Sequence, residues 1–154
     1  MGSEAIHFPG HAHIPGQTKR HPEGYFDAIR ASVTPDLDPS DLAHSEAWKT
    51  GLAFFGSGYF WEAHEVLEPV WMQAPQKSAE RLLVQALIQL ANAKLKLRMD
   101  QPKATLRLCA TVDTLLTDCE ISGRADVMGL SATLVRDWLR ETLRTANLAV
   151  QAED

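Results

Sequence analysis

Residues 77–99 read KSAERLLVQALIQLANAKLKLRM, the longest and most apolar of the helical patterns in the chain. A helix whose apolar side chains cover nearly every side is typical of a buried position at the centre of a bundle. The apolar residues of this stretch include Leu82, Leu83, Val84, Leu87, Ile88, Leu90, Ala91 and Leu95. The stretch therefore predicts a central helix that other helices surround.

Helical signals flank this stretch on both sides. Asp38 and Pro39 are typical of an N-cap and a first helical position, and Gly56-Ser57-Gly58 ends the helix that they begin. Further helices are predicted over about 59–74 and 102–120, with another that begins at Ser131 and a short helical turn over 23–32. No segment alternates polar and apolar residues between hairpin turns, so β structure is not expected. We therefore predict an all-α, single-domain bundle of about five main helices in antiparallel hairpins, preceded by a short N-terminal helical turn.

The N-terminal segment differs in composition from the rest of the chain. Residues 1–22 contain several Gly, Pro and His residues and no hydrophobic periodicity. We expect this segment to be an extended or flexible leader. Residues 23–150 are expected to form a single helical domain, because a chain of 154 residues is long enough to bury one core.

Composition excludes several classes of function. The formal net charge is −5 and the sequence has no basic stripe, so we expect no nucleic-acid partner. No apolar run approaches the roughly 18 residues that a membrane-spanning helix needs, so we expect no membrane partner. Cys109 and Cys119 fall in one predicted helix, about 15 Å apart along its axis, which is too far for a disulfide. Reduced thiols indicate a soluble cytoplasmic protein.

The predicted helix over 59–74 carries a candidate catalytic pair. Helical spacing places His64 within an apolar arc, with Glu68 and Glu65 at the border of that arc and Glu62 on the opposite, solvent-facing side. The arc comprises Phe60, Ala63, Leu67, Val70, Trp71 and Ala74. His64 and Glu68 are four residues apart and therefore neighbours on the helix surface. A half-buried histidine–glutamate pair is able to act as a general acid and base, so His64, Glu65 and Glu68 are the candidate catalytic residues.

The central helix has one narrow polar stripe. Gln85, Gln89, Asn92 and Lys96 recur at spacings of four, three and four residues. Amide side chains on a buried helix need hydrogen-bond partners, and the His64 edge of the neighbouring helix would supply them. We predict that the two polar edges face each other. The candidate ligand-orienting residues are Gln85, Gln89, Asn92, Trp61 and Trp71.

A metal site is one interpretation of this cluster. The string His-Glu-Val-Leu-Glu, residues 64–68, matches the zinc-binding pattern H-E-x-x-H only in part, because the second histidine is absent. His64 and Glu68 are candidate ligands of a divalent metal, to which the leader histidines His7, His11, His13 and His21 could add. The same residues also suit a metal-free small-molecule site, or a structural cluster that fixes the register of the helices.

Two sequence blocks carry a resemblance to a known family. Residues 55–71, FGSGYFWEAHEVLEPVW, and residues 83–94, LVQALIQLANAK, resemble the two signature blocks of the domain of unknown function 309 family. The resemblance spans roughly residues 45–118, and Ala86 stands where many relatives have glycine. It implies a small all-helical domain without an established activity, sometimes labelled a predicted metal-dependent hydrolase. The positions that match the family's motifs are Trp61, Glu62, His64, Glu65, Glu68, Trp71, Gln85 and Gln89.

Two hypotheses for function follow from these patterns. The first is a small-molecule or metal-assisted hydrolase site between the second and third predicted helices. The second is a non-enzymatic protein-interaction domain, or a homo-oligomerising scaffold, in which the polar cluster is structural. A faint likeness supports the second, because Gly51, Phe54, Ala63, Leu67 and Pro75 lie at spacings similar to those of a tetratricopeptide repeat.

Overall fold

The structure is a computed structural model that describes residues 5–124 and 126–153 of the chain. The first four residues of the predicted leader therefore lie outside the described residues. The helices are α1 (Asp27–Arg30), a 3-10 helix (Pro39–His44), α2 (Glu46–Gly56), α3 (Phe60–Gln73), α4 (Ala79–Arg98), α5 (Pro102–Ile121) and α6 (Ala132–Glu153). Two short strands, β1 (Asp126–Val127) and β2 (Leu130–Ser131), precede α6. The predicted all-α class is confirmed.

The centre of the bundle is α4, as the apolar stretch predicted. It packs against α3 on one side and α5 on the other, and it also contacts α6. Its fully buried side chains are Leu83, Val84, Ala86, Leu87, Leu90, Ala91 and Ala93. Because α2 packs on α3 and α5 packs on α6, the helices form a series of neighbouring pairs around this core.

The first predicted helix is divided in two. Asp38 does cap a helix, since its carboxylate accepts a hydrogen bond from the backbone N–H of Ser40 at 3.0 Å, but that helix is a short 3-10 helix. Ser45 then adopts an extended conformation and caps α2, accepting from the N–H of Trp48 at 3.2 Å. The prediction of one continuous helix from Asp38 was wrong because Ser45 provides a second N-cap inside it.

The expectation of no β structure was also wrong, on a small scale. Strands β1 and β2 pair in antiparallel fashion, with Val127 opposite Leu130. Met128 and Gly129 both have positive φ, 54° and 78°, which is the conformation that a tight two-residue hairpin turn needs. Two residues per strand are too few to produce a detectable alternation. The indole N–H of Trp48 donates to the carbonyl of Met128 at 3.1 Å and so joins this hairpin to α2.

The leader contacts the helical core at several points. The ring of Phe8 lies 5.7 Å from that of Phe54 and 5.3 Å from that of Tyr59, measured between centroids. The amide of Gln17 donates to the carbonyl of Arg98 at the far end of α4. His13 is 4% exposed. Residues 5–22 thus cover one side of the domain.

No helix within residues 5–124 and 126–153 has both the length and the apolar character to cross a bilayer. Both cysteines of the described residues are free and fully buried on α5.

Burial should make Cys109 unreactive in the folded protein. Burial raises the pKa of its thiol from 9.0 to about 11, and only the thiolate attacks an alkylating reagent. Two pKa units reduce the thiolate fraction about a hundredfold at pH 8. In a Cys119→Ala variant, we expect iodoacetamide to modify Cys109 at least about 100-fold more slowly in the native protein than in urea. Equal rates in the two conditions would contradict this burial.

Candidate functional site

Helix α3 holds most of the predicted site residues. Pro69 within it leaves one main-chain carbonyl without its usual hydrogen-bond donor. Proline has no N–H, so the carbonyl of Glu65, four residues earlier, has no intrahelical donor. The guanidinium of Arg30 in the short helix α1 fills this vacancy by donating to the Glu65 carbonyl. Arg30 therefore lies against the polar edge of α3.

The two polar edges of α3 and α4 meet at one pair of residues. His64 Nδ1 lies 3.0 Å from Asn92 Oδ1, a contact in which the imidazole donates from Nδ1 to the amide oxygen. This leaves His64 Nε2 directed toward Glu68, with Oε2 at 3.6 Å. The side chain of His64 is 34% exposed and that of Glu68 is 40% exposed, so the pair lies at the rim of the core.

Arg30 pairs with one carboxylate of this edge and lies near the other. Its Nη2 atom lies 3.1 Å from Glu68 Oε1, and its Nη1 atom lies 3.9 Å from Glu65 Oε2. A continuous chain of polar contacts thus runs from Asn92 through His64 and Glu68 to Arg30. Arg30 was not predicted from the sequence, because a short turn with no periodicity gives no sign of where it packs.

The remaining predicted residues do not join this cluster. Gln85 and Gln89 are half-buried, and within the part of the chain that the structure describes no hydrogen bond connects either of them to it. The guanidinium carbon of Arg81 lies over the ring of Trp71, 4.5 Å from the ring centroid. Trp61 faces the leader, where its ring contacts those of His13 and His21 at 5.1 and 5.9 Å.

The donor groups do not fit a metal ion. Among the described residues, no group of three or more His, Cys, Asp or Glu side chains is arranged to hold one. His64 and Glu68 supply only two ligands, and a structural or catalytic zinc site needs at least three from the protein. His11 and His13 each direct a ring nitrogen at a protein oxygen, at 2.7 and 3.0 Å.

Helical spacing predicted that Glu62 is exposed to solvent. In the structure its side chain is completely buried. Its Oε2 atom accepts from His21 Nε2 at 2.5 Å and from the backbone N–H of His13 at 2.7 Å. Its other oxygen, Oε1, is buried without a hydrogen-bond partner among the described residues. The prediction was wrong because the leader covers this face of α3. Val66, one turn later and fully buried, is the sequence signal that this face is also packed.

A groove of about 760 Å³ opens beside the buried pair. We call it the leader groove; its lining includes Arg20, His21, Tyr25, Arg30 and Trp61, together with the carboxylates of Glu23, Asp27 and Glu65. The His21 ring stacks on that of Tyr25, with 5.4 Å between the ring centroids. The side chain of His21 is 5% exposed. The groove therefore joins a histidine–carboxylate pair, two arginines, three further carboxylates and two aromatic rings at one place on the surface.

The comparisons with known proteins point to one family. The family model described as Domain of unknown function (DUF309) matches residues 48–108, a range that contains all of α3 and α4. The searches of curated proteins and of solved structures found no match. The matched range includes both sequence blocks on which the resemblance was based, and it excludes the leader and α6. The helical core of this chain, residues 48–108, is therefore similar to the DUF309 family.

Proposed function

We propose that the leader groove binds a small anionic molecule and that His21 and Glu62 form its general acid–base pair. The observation that carries this proposal is the fully buried carboxylate of Glu62 beside the groove, with one oxygen bound to His21 and the other without a partner among the described residues. Burying an ion pair is no more stabilising than a well-packed apolar pair. A buried carboxylate with a free oxygen next to a groove is therefore more readily explained by function than by stability.

The geometry supports a definite division of roles. A neutral imidazole that donates from Nε2 keeps its lone pair on Nδ1, so His21 is set to accept a proton there. Glu62 holds the ring in this tautomer and stabilises the imidazolium that forms. Arg20 supplies positive charge for an anionic substrate, since among the described residues it has no carboxylate within 4.0 Å, whereas Arg30 is paired with Glu68. Tyr25 and Trp61 supply flat apolar surfaces.

This arrangement favours a metal-independent hydrolysis of a small anionic ester. Water attacks the ester carbonyl while His21 Nδ1 takes its proton, and His21 then returns that proton to the departing alkoxide. The cluster of His64, Glu65 and Glu68 acts in this proposal through Arg30, which it holds at the wall of the groove.

Hydrolysis of the mono-4-nitrophenyl ester of succinate by the full chain tests the proposal. We expect His21→Gln and Glu62→Gln each to lower kcat/KM by about 100-fold, the usual contribution of a general base. His44→Gln is the matched control, because His44 lies outside the leader groove. Circular dichroism of each variant establishes that it is folded.

Two outcomes would overturn the proposal. One is a wild-type rate no higher than that of free imidazole at the same concentration, and the other is a folded His21→Gln variant with an unchanged rate. Either result would favour a non-enzymatic interaction domain or homo-oligomerising scaffold. The contacts of the His64 cluster, which join α1, α3 and α4, already suit a structural role in such a scaffold.

A further inference from the structure

A second groove, of about 560 Å³, lies where α2, α3, α4 and α6 meet. We call it the aromatic groove; it is lined by Phe55, Phe60, Trp138, Lys94, Arg98 and the loop Gly56–Gly58. It shares no lining residue with the leader groove. Its volume lies within the range usual for small-molecule sites.

Three rings from three helices form the apolar part of this groove. Phe55 contacts Phe60 at 5.6 Å with the rings nearly perpendicular, and it contacts Trp138 at 5.3 Å. Phe55 is buried at the base, whereas Phe60 and Trp138 are only half-buried. The last two therefore offer ring surface to an aromatic ligand.

The cations of the groove lack acidic partners. Within residues 5–124 and 126–153, neither Lys94 nor Arg98 has a carboxylate within 4.0 Å, whereas Arg136 has two, Asp113 and Glu120, each at 2.7 Å. Burial lowers the pKa of Lys94, and the more distant Glu141 opposes this effect only in part. Lys94 and Arg98 lie over the same ring, that of Phe60, at 5.8 and 4.5 Å. Among the described residues, these two neighbouring cations thus have no carboxylate in contact with them.

Gly58 contacts one of these cations. Its φ is +86°, and a Cβ atom there would lie 2.7 Å from Arg98 Nη2. Its carbonyl accepts a hydrogen bond from Arg98 Nη1. The positive φ favours glycine at this position. One carbonyl uses few of the five N–H donors of the guanidinium, so the others remain available to a ligand.

We propose that the aromatic groove binds a planar aromatic anion. The aromatic part lies between Phe60 and Trp138, and the anionic group pairs with Lys94 and Arg98. A carboxylate and a phosphate on an aromatic ring share this chemistry, since a guanidinium and an ammonium bind both.

Calorimetric titration of the full chain with 2-naphthoate, 2-naphthyl phosphate and neutral 2-naphthamide tests the proposal. We expect one or both anions to bind at least about tenfold more tightly than the amide, the factor that one charge-assisted hydrogen bond provides. Tighter binding of naphthoate assigns the carboxylate, and tighter binding of naphthyl phosphate assigns the phosphate. Equal affinity of all three, or no binding, would overturn the proposal without the use of any variant.

Substitutions then locate the site. Lys94→Met is expected to weaken binding of the preferred anion about tenfold. Lys96→Met removes the same charge from the same helix, but outside the groove. It should change the affinity for the preferred anion by no more than about twofold. Lys94→Met should remain folded, because it replaces a half-buried, unpaired ammonium by an apolar side chain. Equal effects of the two substitutions would place the anion elsewhere and would overturn the proposal.

Discussion

Replacing Glu62 with alanine is expected to lower the free energy of unfolding by about 3 kcal/mol or more. The substitution leaves two donors, the His21 ring and the His13 backbone N–H, buried without their acceptor. Breaking a buried pair on one side is costly because the remaining group keeps its desolvation penalty. Denaturation in urea, followed by circular dichroism, measures the loss.

The same substitution should release the leader from α3. Trypsin cleaves after Lys19 and Arg20, which immediately precede His21, so cleavage there should become faster in the variant. Glu65→Ala is the matched control on the same helix, since that side chain is 35% exposed and its ion pair is long. We expect the control to cost less than about 1 kcal/mol. Equal losses for the two variants would show that the contacts of Glu62 do not hold the leader.

Replacing Gly51 with alanine is expected to destabilise the protein by about 2 kcal/mol, although alanine is normally the better helix former. A Cβ atom at this position would lie 2.3 Å from Leu67 Cδ2 and 2.6 Å from its Cγ. Leu67 is fully buried between α2 and α3, so it has no free space into which to move. Urea denaturation measures the effect.

A double-mutant cycle identifies the cause of this loss. Leu67→Ala alone should cost about 2–5 kcal/mol through the cavity that it leaves. In the double variant the new methyl group of residue 51 occupies part of that cavity, so the combined loss should be smaller than the sum of the two. Additive losses would mean that Gly51 is required for another reason.

The central features of the fold were predictable because they depend on periodicity. The apolar surround of α4 predicted its central place, and the spacing of the polar residues predicted the contact that His64 makes with Asn92. The boundary of α2 was not predictable in the same way. Ser45 and Asp38 are equally good caps in sequence, and the pattern does not show that the backbone becomes extended at Ser45.

The candidate site depends on contacts that periodicity does not encode. The environment of Glu62 depends on His13 and His21, which are 49 and 41 residues away in sequence and belong to a segment with no regular pattern. A helical wheel has one inside and one outside, whereas α3 is covered on both sides. Helical spacing therefore placed His64, Glu65 and Glu68 on one face of α3 and missed the buried environment of Glu62 on the other.

The proline in α3 affects which substitutions the site tolerates. The oxygen of residue 65 that receives Arg30 belongs to the main chain, so every amino acid at that position retains it. A substitution at residue 65 alone would therefore keep the hydrogen bond that attaches α1 to α3. Any other amino acid at residue 69 would restore an amide hydrogen that competes for the same oxygen, so the attachment of α1 depends on a ring that never touches it.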